Sequence, residues 1–166
     1  MSALAALCGA VGCLFAGDSL AVGMARATGI PSAAIGGIST GHPSILEAVR
    51  RATPGTVLLV SSGTNDARPA GDAAARVSAE ARARGVRLVW LVPPCHGPAP
   101  LDARSRLRAA EIAAAAAAAG VEAVALRDLP AGACGSPRAG DGIHLSGRGY
   151  AALAEEAAGA LLAARR

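Results

Sequence analysis

The sequence contains no lysine and very few aromatic residues. One Phe, one Trp and one Tyr occur among 166 residues, so the core must be built from Ala, Val, Leu and Ile. Three aromatic side chains this far apart give no platform on which nucleic-acid bases could stack. All sixteen basic residues are Arg, and they are scattered without a long block of like charges. We attribute the net charge of +4 to solvated helix faces and expect no nucleic-acid partner.

The sequence also lacks a long apolar run with the character of a membrane span. The first sixteen residues are apolar and small, like the core of a signal peptide. A signal peptide also has a positively charged start, and no Arg or Lys precedes this run. We interpret them as a helical turn followed by the first buried strand. The Ala-rich tract at 109–120 favours a helix, because alanine has the highest helix propensity. We expect no membrane partner.

The four cysteines form no CxxC pair, and their spacing does not fit a zinc site. They are Cys8, Cys13, Cys95 and Cys134. We expect free thiols, inert at Cys95, and a cytoplasmic location. The alternative is a Cys95–Cys134 bridge in an exported protein, because disulfides persist in oxidising compartments.

Short apolar runs alternate with helical patterns, which is typical of a parallel sheet covered by helices. The length suits a single domain over residues 1–166. Strands are predicted at 12–16, 33–35, 56–61, 87–92 and 121–126. Helices are predicted at 20–28, 43–51, 71–84, 101–119 and from 146 to the C-terminus. We predict a three-layer α/β/α sandwich with a five-stranded parallel sheet in the flavodoxin-like order 2-1-3-4-5.

Ligands of open parallel sheets bind at the carboxyl ends of the strands, so the residues that follow strands are candidates for a site. The first predicted strand is followed by Gly17, Asp18, Ser19 and Leu20. Ser19 would lie at the start of a helix, where its backbone N–H can stabilise a developing anion. The alternative is that Ser19 only caps this helix.

Two further segments carry polar residues that could take part in catalysis. Asn65 follows the third predicted strand and can donate its amide towards the same region, or form an Asx turn. Asp141 precedes His144 by three residues, so its carboxylate can accept a hydrogen bond from the imidazole. That bond would fix the tautomer and leave the other ring nitrogen free as a base. Alone, His144 would be interpreted as a surface residue at a helix start.

The three segments GDSL (17–20), GTND (63–66) and DGIH (141–144) together resemble blocks of the SGNH hydrolase family, also called the GDSL family. The resemblance spans nearly the whole chain. The second block of the family is matched in IGGIST, where spacing favours Gly37 and leaves Gly36 as the alternative.

The resemblance implies a serine esterase that hydrolyses carboxylic esters through an acyl-enzyme. It implies Ser19 as the nucleophile, His144 as the general base and Asp141 as the group that orients His144. The oxyanion hole would combine the N–H of Ser19, the N–H of Gly37 and the side chain of Asn65. No metal and no organic cofactor is implied.

Asp18, Arg68 and His96 are weaker candidates for substrate binding. We interpret Asp18 and Asp66 chiefly as structural residues that bond backbone N–H groups in their loops. Arg68 can hold an anionic group of the substrate, with a solvated side chain as the alternative. His96 can line the pocket, with an exposed position in its loop as the alternative.

The sequence has no obvious lid insertion, which predicts an open, shallow site that favours short acyl chains. We expect a small-molecule or carbohydrate ester as the substrate, such as an acetylated sugar or a small aryl ester. We expect a monomer or a small homo-oligomer. One alternative is a thioesterase or lysophospholipase. Another is a non-catalytic module that retains the fold, although competent residues at the catalytic positions count against it.

Overall fold

A parallel sheet forms the centre of the computed structural model, which describes residues 1–9 and 11–165. The sheet has four strands within these residues, β1 (Cys13–Gly17), β2 (Val57–Ser61), β3 (Arg87–Val92) and β4 (Glu122–Ala125), in the order β1-β2-β3-β4. All neighbouring strands are parallel. Every residue of β2 is buried, because this strand has a neighbour at each edge and helices on both faces.

The fifth strand that the sequence predicts at 33–35 does not form, so the prediction of five strands is wrong for the described residues. The chain at 31–35 nevertheless runs parallel to β1. The N–H of Phe15 donates to the Pro31 carbonyl, and the N–H of Ile35 donates to the Gly17 carbonyl, each at 2.9 Å. The segment therefore occupies the predicted outer position beside β1. Pro31 has no N–H to donate and two glycines follow Ile35, so the pairing stays too short for a strand.

Helices cover both faces of the sheet and complete the three-layer α/β/α sandwich. The described residues form α1 (Ala3–Cys8), α2 (Ser19–Thr28), α3 (Pro43–Arg51), α4 (Gly71–Ala83), α5 (Ala99–Ala118) and α6 (Gly147–Ala163). Two short 3₁₀ turns, at 126–128 and 130–132, follow β4. None of the helices in the described part of the chain is long and apolar enough to cross a membrane.

Two hydrophobic clusters lie on opposite faces of the sheet. Helices α1, α2 and α6 pack around Phe15, Met24 and Leu153 on one face. Helices α3, α4 and α5 pack around Trp90 and Ile112 on the other. Successive strand residues point to opposite faces, so each strand contributes to both clusters.

All four cysteines are paired, so the prediction of free thiols is wrong. Cys8 is bonded to Cys13, and Cys95 is bonded to Cys134 across 39 residues of sequence. The first pair joins the end of α1 to the start of β1. The second is the alternative that the sequence left open.

Candidate active site

Ser19, Asp141 and His144 meet beside the carboxyl end of β1. The Ser19 hydroxyl lies 2.9 Å from Nε2 of His144. Nδ1 of the same ring lies 2.5 Å from Oδ2 of Asp141. The other carboxylate oxygen accepts the backbone N–H groups of Ile143 and His144, each at 2.9 Å. When a hydroxyl, an imidazole and a carboxylate are hydrogen-bonded in this order, a proton can pass from the hydroxyl to the imidazole ring.

The hydrogen bonds at Asp141 keep its carboxyl group ionised. Donation from the His144 ring, then from the backbone N–H groups of His144 and Ile143, holds the pKa of Asp141 well below its usual range. An ionised carboxylate accepts the Nδ1 hydrogen, so Nε2 faces Ser19 as an acceptor. The side chains of His144 and Asp141 are 37% and 46% exposed. The site is therefore open to solvent.

Ser19 owes its position to the turn between β1 and α2. It is the first residue of α2, so its backbone N–H has no partner within the helix. Oδ1 of Asp18, the N-cap residue, accepts the N–H of Leu20 at 3.0 Å. Gly17 has φ +111°, and a Cβ there would overlap the Ser61 carbonyl. Only glycine permits this close approach of β1 to β2, which places Ser19 at the edge of the sheet.

Asp18 is a buried part of this turn. Its N–H donates to the Ser61 carbonyl at 2.8 Å, and its side chain has no exposed surface. Burial raises the pKa of Asp18 to about 7. This position does not present the Asp18 carboxyl group to the open face where a substrate would bind.

The loop with Asn65 lies beside the loop with the two candidate glycines. The Asn65 amide donates to the carbonyl of Ile38 at 3.3 Å. Ile38 directly follows Gly37, which has φ +79°. Asn65, Gly36 and Gly37 are all exposed. The structure thus brings the Asn65 amide to the second block, and both glycines remain candidates for the oxyanion donor.

His96 and Arg68 occupy different environments. His96 is only 3% exposed, and its Nε2 lies 3.4 Å from Oγ1 of Thr64. It lines a cavity of about 470 Å³ together with the Cys95–Cys134 disulfide. Burial lowers the pKa of His96 to about 4, so its ring is neutral at pH 7. Arg68 is exposed three residues after Asn65.

Sequence reasoning missed one residue beside the site. Thr40 is buried, and its hydroxyl lies 2.6 Å from Oδ2 of Asp66. The sequence predicts that Asp66 bonds N–H groups in its own loop, but in the structure it accepts the N–H of Thr40 from the neighbouring loop, at 3.0 Å. The sequence shows only a Thr three residues after Gly37, whereas the pairing of Thr40 with Asp66, 26 residues later, depends on the folded loops.

A parallel sheet between helices, with Ser, His and Asp in contact at the carboxyl end of a strand, defines a hydrolase-like class of α/β protein. Residues 10–152 match the GDSL-like lipase/acylhydrolase family, and the chain belongs to that family. The family predicted from the three blocks is therefore confirmed. No curated protein sequence matches the chain.

Solved structures of low sequence identity share the fold. A GDSL-like lipase from Bacteroides thetaiotaomicron has a TM-score of 0.70 at 19% identity, over 92% of this chain and 88% of that chain. Phospholipase A1 from Streptomyces albidoflavus has a TM-score of 0.69 at 14% identity, over 93% and 99%. An inhibitor-bound aryl esterase from M. smegmatis has a TM-score of 0.62 at 15% identity, over 91% and 98%. These similarities confirm the predicted fold class.

Proposed function

We propose that this protein is a serine esterase that hydrolyses carboxylic esters of short acyl chains through an acyl-enzyme. The 2.9 Å contact between Ser19 Oγ and His144 Nε2 carries the proposal. Membership of a lipase and acylhydrolase family supports an acyl ester as the substrate.

In the first half of the reaction, Ser19 Oγ attacks the acyl carbon while His144 Nε2 takes the hydroxyl proton. Asp141 holds the Nδ1 hydrogen and stabilises the imidazolium that forms. His144 then gives its proton to the leaving alcohol. In the second half, His144 deprotonates a water molecule that attacks the acyl-enzyme, and the carboxylic acid leaves as Ser19 recovers its proton.

The oxyanion of each tetrahedral intermediate needs donors that are already in place. The Ser19 N–H at the start of α2, the Gly37 N–H and the Asn65 amide are the proposed donors. The positive end of the α2 dipole favours negative charge at the same point. Loss of one such donor typically lowers kcat by about 100-fold to 1000-fold.

The exposure of the site supports a preference for short acyl chains. Asn65 and Gly37 are exposed, and the His144 side chain is 37% exposed. Sites that hold long apolar ligands bury most of the ligand surface, which this open arrangement does not favour. Acetylated sugars and small aryl esters are therefore the proposed substrates.

A panel of p-nitrophenyl esters from acetate to dodecanoate tests the proposal, together with labelling of intact protein by a fluorophosphonate probe. We expect the highest kcat/KM on acetate and a single adduct on Ser19. Ser19→Ala should lose the adduct and lower kcat by at least about 1000-fold. A faster rate on decanoate than on acetate would reject the short-chain preference and favour a lysophospholipase.

Ser2→Ala is the matched control, because Ser2 is another hydroxyl at a helix start. Its Oγ accepts the N–H of Ala5 at 3.1 Å and caps α1. We expect this variant to keep its adduct and its rate. If the wild-type protein forms no adduct and hydrolyses no ester, the esterase proposal fails in favour of a non-catalytic module.

A further inference from the structure

A buried polar contact joins the loop of Gly37 to the loop of Asn65. The Thr40 hydroxyl donates to Oδ2 of Asp66 at 2.6 Å, and the Thr40 N–H donates to Oδ1 at 3.0 Å. The Thr40 oxygen also lies 2.9 Å from the Ser62 hydroxyl. Thr40 has no exposed surface and Asp66 is 5% exposed. We name the paired bonds between Thr40 and Asp66 the Thr40–Asp66 clamp.

The clamp lies next to two of the proposed oxyanion donors, the Gly37 N–H and the Asn65 amide. Thr40 lies three residues after Gly37, and Asp66 directly follows Asn65. The Asn65 amide itself donates to the Ile38 carbonyl between Gly37 and Thr40. The two loops are therefore hydrogen-bonded to each other within three residues of both donors.

We propose that Thr40 and Asp66 are positioning residues that set the separation between the Gly37 N–H and the Asn65 amide. This inference rests on the proposed esterase function. Two hydrogen bonds from one residue to one carboxylate fix both distance and orientation. Burial excludes water that would compete for these bonds. Oxyanion donors are effective only when they need no rearrangement as charge develops. A loose clamp would therefore reduce the stabilisation of the transition state by these donors.

Thr40→Val tests the clamp, because valine matches the shape of threonine and keeps the backbone bond to Asp66. We expect kcat on p-nitrophenyl acetate to fall about 10-fold to 100-fold, with KM within about twofold of wild type. Inhibition by phenylboronic acid should weaken in parallel, because its tetrahedral Ser19 adduct places an oxygen among the oxyanion donors. Thr40→Ser keeps the hydroxyl and should restore most of kcat.

Ser78→Ala is the control for a general loss of stability. Ser78 is fully buried in α4, and its hydroxyl accepts the Trp90 indole N–H at 3.0 Å. Like Thr40→Val, this variant removes a buried hydroxyl bond, but at a position outside the proposed site. We expect Ser78→Ala to lower the Tm without changing kcat or boronate inhibition.

Unchanged kcat and boronate inhibition in a folded Thr40→Val protein would overturn the inference and leave the esterase proposal standing. An inactive wild-type protein without a Ser19 adduct would overturn the esterase proposal, and the inference with it. If Thr40→Val does not fold, the Asp66→Asn variant tests the clamp instead. Asparagine keeps one oxygen that can accept a hydrogen bond from Thr40. We expect an intermediate fall in kcat there, and wild-type kcat would again overturn the inference.

Discussion

Cys134, in the loop that leads to His144, is bonded to Cys95 just after β3. A backbone bond joins the same two segments, because the Gly97 N–H donates to the Gly142 carbonyl at 2.9 Å. Residues 133–146 form no helix and no named strand. The segment at 133–146 presents His144. The disulfide and this backbone bond attach that segment to the chain just after β3, at the end of the central sheet.

Removal of the Cys95–Cys134 bond should destabilise the protein more than removal of the Cys8–Cys13 bond. The two bonds close sequence separations of 39 and 5 residues, and a longer loop loses more unfolded-state entropy when it is closed. From loop length, we expect losses of about 4 kcal/mol and about 2 kcal/mol in the free energy of unfolding. Urea denaturation of the two double alanine variants, Cys95→Ala/Cys134→Ala and Cys8→Ala/Cys13→Ala, measures both.

Equal losses in the two variants would contradict the role of loop length. A thiol titration of the purified protein under denaturing conditions checks the pairing itself, and four free thiols would reject both bonds. The cytoplasmic location stays a prediction. Retention of both bonds in protein isolated from its host under thiol-blocking conditions would argue against it.

Asp18 and His96 should give opposite contributions to the pH dependence of stability. Burial raises the pKa of Asp18 from 3.8 to about 7, so the native protein holds this proton more tightly than the unfolded chain. Its contribution to the free energy of unfolding therefore falls as pH rises from about 4 to about 7. Burial lowers the pKa of His96 from 6.5 to about 4, so the unfolded chain holds that proton more tightly. Its contribution rises over pH 4 to 6.5.

Two variants separate these contributions. In Asp18→Asn, we expect the free energy of unfolding to rise more with pH than in wild type, because only the His96 contribution remains of the two. In His96→Gln, we expect it to fall more with pH. Urea denaturation at several values between about pH 4 and pH 7 measures the slopes. Three parallel curves would show that neither group is shifted as burial predicts.

Much of the fold could be predicted because the apolar periodicity is clear in most elements. The strand predicted at 87–92 and the helix predicted at 43–51 have the observed bounds, Arg87–Val92 and Pro43–Arg51. The error at 33–35 has a local cause, since Pro31 and the glycine pair limit pairing with β1. An edge segment of mixed sequence carries too weak a pattern to separate a strand from an extended loop.

The proximity of Ser19, Asp141 and His144 could also be predicted, because their motifs lie at strand ends or in a short local turn. The Thr40–Asp66 clamp could not, because it joins two loops that are remote in sequence. For the same reason the sequence indicates the Cys95–Cys134 bond only as an alternative to free thiols. Burial of His96 was equally hidden, since it depends on how the Cys134 loop covers the end of β3. Sequence patterns locate the strand ends, whereas the contacts between loops and the burial of loop residues depend on how the loops pack.

Gly17→Ala should be severely destabilising. Alanine is strained at φ +111°, and its Cβ would overlap the Ser61 carbonyl. That carbonyl accepts the Asp18 N–H at 2.8 Å, so relief of the overlap would break the bond that closes the turn before Ser19. We expect a loss of about 3 kcal/mol or more, since a steric conflict with buried backbone is among the costliest single changes. Thermal unfolding, or the soluble fraction if the variant does not fold, measures it.

Gly147→Ala is the matched control, because it adds the same methyl group to a glycine outside the sheet. Gly147 is the first residue of α6, and an added Cβ would meet no atom within 4 Å. Alanine has the higher helix propensity, so we expect this variant to be neutral or more stable by up to about 1 kcal/mol. Similar Tm values for the two variants would mean that β1 and β2 can separate at Gly17 without cost. The position of Ser19 would then have to be fixed by α2 alone.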